Sequence, residues 1–124
     1  MTLSTSQAFA EAQRLSGLID AAIEALKNTT VEFAKREAEY RKAKAEAWVR
    51  CPRDEDGQRD WTAGRREAWV NAETSDLRYA RDVADGMRQA ALEAVRSRRA
   101  QLSSIQTFVN AERAEAEFAR TGPR

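Results

Sequence analysis

Mostly apolar side chains recur at alternating steps of four and three residues from Ala8 to Ala47, and Thr29 and Arg36 are the members that weaken the series. The large members of this series are Leu15, Ile19, Leu26, Phe33 and Tyr40. A recurrence of this kind places its members along one stripe of a helix, and the stripe packs against a neighbouring helix. Because no proline interrupts the series, the pattern predicts helix 1 over about residues 5–50.

Both ends of helix 1 have sequence signals. Ser4 and Gln7 have the spacing of a capping box, in which each side chain accepts a backbone N–H from the other residue. At the far end, Pro52 disfavours the helical conformation of Cys51. The polar stretch that follows contains an Asp-Gly step and predicts a loop over about residues 51–61.

Helix 2 is predicted over about residues 62–120, where the ending Thr-Gly-Pro-Arg stops it. Its weak points are the polar stretch 71–76 and Gly86, and the sequence leaves open whether the helix continues through that glycine. Helix 1 has an alternative too, since Thr29 and Glu32 repeat the capping-box spacing and allow a break at Asn28.

Folding the chain back at the loop tests whether the two helices fit each other. Large side chains of helix 1 then lie opposite small ones of helix 2, with Phe33 opposite Ala84 and Leu26 opposite Ala91. Interdigitated packing requires such a match. The sequence therefore predicts an all-α protein, a single domain over residues 1–124 that forms a long, coiled-coil-like antiparallel helical hairpin.

The composition indicates that an isolated hairpin would be only marginally stable. Charged residues make up 33% of the chain, so the predicted core is thin. A dense apolar cluster on helix 2 lies partly outside the predicted packing stripe: Leu102, Ile105, Phe108 and Val109. An apolar cluster of this kind on a long helix usually marks a surface that binds another helix. We expect a homo-oligomer through this cluster, most simply two hairpins in a helical bundle.

Charge and residue types exclude several function classes. The net charge is +1, so the chain has no bulk attraction for polyanions. With no histidine and one cysteine, it lacks Ser-His and Cys-His pairs, and most zinc sites are excluded. The loop acids do not have the spacing of a calcium loop. We expect a protein that is not an enzyme, with no cofactor or metal and no membrane span.

Four arginines on helix 2 form the first candidate site: Arg88, Arg96, Arg98 and Arg99. Guanidinium groups match phosphate geometry, so the group predicts a contact to nucleic acid or to a protein partner. The alternative is a solvated helix face whose arginine stems cover the packing stripe. Arg98 favours this alternative, because it falls opposite Ile19.

The tryptophans near the loop form the second candidate site. Trp48 and Trp69 fall opposite each other and are predicted to pack between the helices. Trp61 lies next to the loop and is harder to bury in one hairpin. Trp61, Arg65 and Arg66 therefore predict that the loop end of the hairpin, its tip, contacts a partner. Tryptophan and arginine often contribute most of the binding energy in protein interfaces.

Two stretches of helix 2, DVADGMRQAALEAVRSRRAQLSS and the ending FARTGP, resemble small uncharacterised helical proteins encoded by actinobacterial phages. The resemblance covers residues 67–123 and transfers no functional residue. It implies a gene near DNA recombination and replication functions and a protein in the host cytoplasm. The expected function is a self-associating accessory that binds a recombinase, a single-strand-binding protein or DNA. The alternatives are an inhibitor of a host or defence factor and a virion component.

A different pattern resembles secreted helical hairpins of the WXG type, which carry a tryptophan and a glycine in the turn. Trp61-Thr62-Ala63-Gly64 has one residue too many for that turn. Tyr79-Ala80-Arg81-Asp82 is one residue short of the tail export signal and lies within helix 2. Both departures argue against this family.

Overall fold

The described residues of a computed structural model are 4–55, 57 and 60–122. They form three helices: α1 over Thr5–Arg50, α2 over Ala63–Glu73 and α3 over Ser75–Thr121. This part of the chain contains no β-strand, and α1 packs against α3. The predicted fold class, an all-α helical hairpin, is therefore confirmed.

Contacts along the helices divide the chain into two compact units. The loop unit is Asn28–Gln89, and the terminal unit combines Met1–Lys27 with Ala90–Arg124. Each unit pairs one part of α1 with an antiparallel part of the second half of the chain. The functional surfaces are therefore described unit by unit.

The helix ends follow from local hydrogen bonds. The Ser4 N–H donates to Gln7 Oε1 at 2.8 Å, and the Gln7 N–H donates to Ser4 Oγ at 3.2 Å, which confirms the predicted capping box. At the other end of the chain, Gly122 has a φ of 66° and its N–H donates to the Phe118 carbonyl. A left-handed glycine is a common helix terminator, because it has no Cβ to clash.

The predicted packing stripe of α1 is the side of the helix that is covered. In the terminal unit Leu15 and Ile19 are buried on α1, and Val95 is buried on α3. In the loop unit Tyr40 is buried on α1 and Ala84 on α3. The seven-residue recurrence therefore located the core correctly in both units.

Helix continuity agrees with one of the weak points that the sequence suggested and not with the other two. The helix α1 is unbroken at Asn28, and α3 runs through Gly86, so neither residue ends a helix. The predicted helix 2 breaks at Thr74, inside the polar stretch that was one of its predicted weak points. The buried Thr74 hydroxyl donates to the Val70 carbonyl at 2.7 Å, and this carbonyl also accepts the Thr74 N–H. Such back-bonding bends helices, which accounts for the one-residue interruption.

Candidate functional site

Arginine side chains cover the faces of aromatic rings across the helix pairs of both units. Five such contacts join different helices, at 4.6 to 5.9 Å from guanidinium carbon to ring centre: Arg50 on Trp69, Arg66 on Trp48, Arg81 on Tyr40, Arg88 on Phe33 and Arg113 on Phe9. Each contributes about 0.5–1 kcal/mol where it is solvent-exposed. Many arginines that look free in the sequence are therefore committed to the fold.

Arg88, a predicted nucleic-acid contact, is one of these. Its Nη2 lies 2.7 Å from Asp85 Oδ1, and its guanidinium covers Phe33 at 5.2 Å. The side chain is half-buried in the loop unit, whereas the other three arginines of the predicted group belong to the terminal unit. Arg88 thus contributes to packing in the loop unit and is paired with a carboxylate, so these contacts favour a structural role, and its binding of nucleic acid or a partner stays a prediction.

The remaining three arginines do not share one face of α3. Arg98 is half-buried, donates from Nη1 to Gln101 Oε1 at 3.3 Å, and lines a shallow groove with Glu11 and Leu15 of α1. In the same groove, Arg14 is ion-paired with Glu11, and this hydrogen bond holds the pKa of the Glu11 carboxyl below its ordinary value. The contacts of Arg98 therefore favour the structural alternative.

Arg96 and Arg99 are exposed and lie one turn apart on α3. Arg96 Nη1 is 2.8 Å from Glu93 Oε1, but both side chains are more than 60% exposed, so water competes with this pair. Arg99 forms no ion pair with any part of the chain that the structure describes. Of the predicted group, these two arginines are the ones available to an anion.

The loop end of the hairpin forms a small surface around Trp61. The Thr62 hydroxyl caps α2 by accepting the Arg65 N–H at 3.3 Å, which sets Arg65 one turn beyond Trp61. The Arg65 guanidinium then lies 3.7 Å from the centre of the Trp61 ring. Its Nη1 is 3.7 Å from Asp54 Oδ1, and Arg53 Nε is 3.2 Å from Asp60 Oδ1.

Arg53, Asp54, Trp61 and Arg65 line one open cleft, which we call the tip surface. Arg66 was predicted to belong to it and does not line it. The Arg66 guanidinium instead covers Trp48 at 5.0 Å, and its Nη2 donates to the Trp48 carbonyl at 3.4 Å. Arg66 therefore joins α2 to α1 and is not part of the tip surface.

Most of the surface of the predicted oligomer cluster is covered within the terminal unit. Leu102, Ile105 and Phe108 are half-buried, and Val109 is only 8% exposed. Ile105 and Val109 line a groove together with Phe9 of α1. Val109 therefore has little exposed surface to offer to a second chain, and the oligomer interface stays a prediction.

Exposed apolar side chains occur elsewhere, on α3 in the loop unit. Tyr79, Val83 and Met87 are 73%, 44% and 59% exposed, and they follow one another at steps of four residues. That spacing places them along one side of the helix, and Met87 also lines a shallow groove with the buried Ala84 and with Glu32 of α1. The sequence pattern did not predict these exposed residues, because the apolar cluster from Leu102 to Val109 is denser.

The described residues contain no candidate metal-binding group, no candidate membrane span and no unpaired buried polar side-chain atom. No group of three His, Cys, Asp or Glu side chains there is arranged to hold a metal ion, and none of their helices is long and apolar enough to cross a membrane. Every buried side-chain nitrogen and oxygen in this part of the chain has a hydrogen-bond partner. Comparison with known proteins adds no assignment: no family model, curated protein or solved structure matches the chain.

Proposed function

We propose that this chain is a non-enzymatic accessory protein of phage DNA recombination or replication that binds a protein partner through the tip surface. The resemblance of its second half to small phage proteins supplies the biological setting. The observation that carries the proposal is the stack of Arg65 on Trp61 at 3.7 Å, outside the packing between helices. Trp48 and Trp69, by contrast, are covered by arginines of an opposite helix.

The charges of the tip surface favour a protein over a nucleic acid. Arg53 and Arg65 each have a carboxylate within 4 Å, so a phosphate backbone would have to compete with Asp60 and Asp54. The indole of Trp61 offers apolar area with a polar edge, which is a common anchor in protein interfaces. The partner classes are a recombinase, a single-strand-binding protein, or a host or defence factor.

Affinity purification of the tagged full chain from infected cells tests the proposal. We expect Trp61→Ala to lose the main partner that the wild type retains, because the anchor of the tip is removed. Val49→Ala is a matched control, since Val49 is 87% exposed and outside the tip surface. Identical partner lists for Trp61→Ala and the wild type would contradict the tip as the binding surface. The identity of the lost partner distinguishes replication from defence, and mass spectrometry of purified particles tests a virion role.

Direct DNA binding is the second candidate, and the exposure of Arg96 and Arg99 supports it. Titration of labelled single- and double-stranded DNA at low salt should then show binding that weakens as salt is added. Arg96→Ala with Arg99→Ala should abolish it, while Arg120→Ala, which removes another exposed and ion-paired arginine, should not. Absence of binding by the wild-type chain at low salt would exclude this candidate and leave the protein-binding proposal intact.

A further inference from the structure

A shallow groove between α1 and α3 in the terminal unit contains two arginines, and we call it the arginine groove. Glu11 and Arg14 line it from α1, and Arg98 and Gln101 line it from α3. The buried Leu15 lies among them. All of these residues belong to one compact unit, so the groove is a feature of the helix pair itself.

The packing of Arg98 leaves its charge without a counterion. It forms no ion pair with the residues that the structure describes, and its Nη1 donates to the neutral amide of Gln101 at 3.3 Å. A guanidinium has five N–H donors, so four of those on Arg98 remain. Because Arg98 is half-buried, water hydrates its charge less completely than that of an exposed arginine, and a bound anion compensates for this loss.

Arg14 supplies the second guanidinium of the groove. Its Nε donates to Glu11 Oε2 at 2.9 Å and its Nη2 donates to Glu11 Oε1, so two of its five N–H groups are used and three remain. Two guanidiniums and one carboxylate give the groove a net charge of +1. Gln101 adds an amide donor, because its Oε1 accepts from Arg98 and its Nε2 forms no hydrogen bond within the described part of the chain. Ser104 also lines the groove, but its hydroxyl already donates to a backbone carbonyl.

We infer that the arginine groove binds a phosphate group through Arg14, Arg98 and Gln101. The donors come from two helices, so they approach a ligand from more than one direction. A phosphate group presents acceptor oxygens around a tetrahedron, whereas the two oxygens of a carboxylate lie in one plane and are matched by a single guanidinium fork. The phosphate belongs either to a small ion or ester or to the backbone of DNA.

The arginine groove is separate from the surfaces proposed above. Gln101 follows Arg99 by two residues, which at about 3.6 residues per turn places their side chains on opposite sides of α3. Neither Arg96 nor Arg99 lines the groove, and the tip surface belongs to the loop unit. Binding of phosphate and binding of a protein partner can therefore fail independently.

Titration of the isotope-labelled full chain with inorganic phosphate, followed by NMR at constant ionic strength, tests the inference. We expect saturable shifts of the Gln101 and Ser104 backbone amides, and a much weaker response to acetate. Arg98→Gln should weaken phosphate binding by at least about tenfold, because a charged donor is lost. Arg96→Gln is the matched control, since it removes the same charge from an exposed position outside the groove. It should leave phosphate binding unchanged.

Glu11→Gln provides a test of the opposite sign that does not depend on the folding of Arg98→Gln. Removal of this carboxylate frees Arg14 and should strengthen phosphate binding. Glu93→Gln makes the same change of net charge at the exposed pair with Arg96 and should have no effect. No saturable shift in the wild type, or equal responses within either pair of variants, would overturn the inference.

A short single-stranded oligonucleotide distinguishes the two sources of phosphate. If DNA supplies the group, the oligonucleotide should shift the same amides and inorganic phosphate should displace it. If the ligand is a small phosphate, the oligonucleotide should leave these amides unshifted. Trp61→Ala should bind phosphate as the wild type does, so failure of the tip surface to bind a partner and failure of the arginine groove to bind phosphate give different results.

Discussion

Arg81 illustrates how a single side chain joins two helices in the loop unit. Its guanidinium covers the ring of Tyr40 at 4.6 Å, and its Nε lies 3.6 Å from Glu37 Oε2, both on α1. Hydrogen bonding to Asp82 is the main cause that raises the pKa of Arg81, so the charge persists at every physiological pH. A planar guanidinium suits this combination of stacking and ion pairing, whereas the point charge of lysine does not.

Replacing Arg81 with lysine should therefore cost about 1 kcal/mol of stability even though the charge is kept. Arg41→Lys provides the control, because Arg41 pairs with the same Glu37 from within α1 and is 77% exposed. Thermal unfolding followed by circular dichroism should show a lower midpoint for Arg81→Lys alone. Equal midpoints for the two variants would argue against a stacking role.

At the scale of the helices, the sequence predicted the packing stripe well and the contacts of individual side chains less well. The seven-residue recurrence identified Leu15, Ile19 and Tyr40 as buried, because burial of one helix side depends directly on spacing. The break at Thr74 was indicated only as a polar stretch, since the bend depends on a single hydroxyl bond.

The candidate surfaces were harder to predict for a physical reason. Density of apolar residues pointed to the cluster around Val109, but exposure depends on which residues the opposite helix covers. Likewise, the spacing of the arginines suggested that Arg88 belongs to a binding site. The structure places its guanidinium on Phe33, which lies opposite Ala84, one helical turn before Arg88. A long arginine side chain reaches a ring one helical turn away. An alignment that pairs only directly opposite positions of the two helices therefore misses these contacts.

Two glycines with no neighbour near their Cβ positions should respond in opposite ways to alanine. Gly17→Ala should raise stability by about 0.5–1 kcal/mol, because a helix interior favours alanine. Gly57→Ala should lower it by about 1 kcal/mol, because Gly57 has a φ of 69° in the loop. Paired thermal unfolding experiments measure both shifts, and a shift of the same sign in both variants would contradict this account.

At the scale of the whole molecule, charge is nearly balanced, with 21 basic and 20 acidic residues. Many of the ion pairs join residues three or four positions apart on one helix, and such pairs contribute only about 0.3–0.5 kcal/mol each. Ionic strength should therefore have little influence on folding. Association through an apolar face is a more effective way for so thin a core to gain stability.

The arginine–aromatic contacts also make the choice of chemical denaturant matter. Guanidinium chloride supplies the same cation that covers Tyr40, Phe33 and Trp48, so it competes for those rings as well as screening carboxylates. Urea is uncharged, so it forms no cation–π contact with the rings and does not screen the carboxylates, although it solvates apolar and peptide groups. Unfolding in guanidinium chloride should therefore remove part of the cohesion between helices before the backbone unwinds, and extrapolated stabilities from the two denaturants should disagree for this protein.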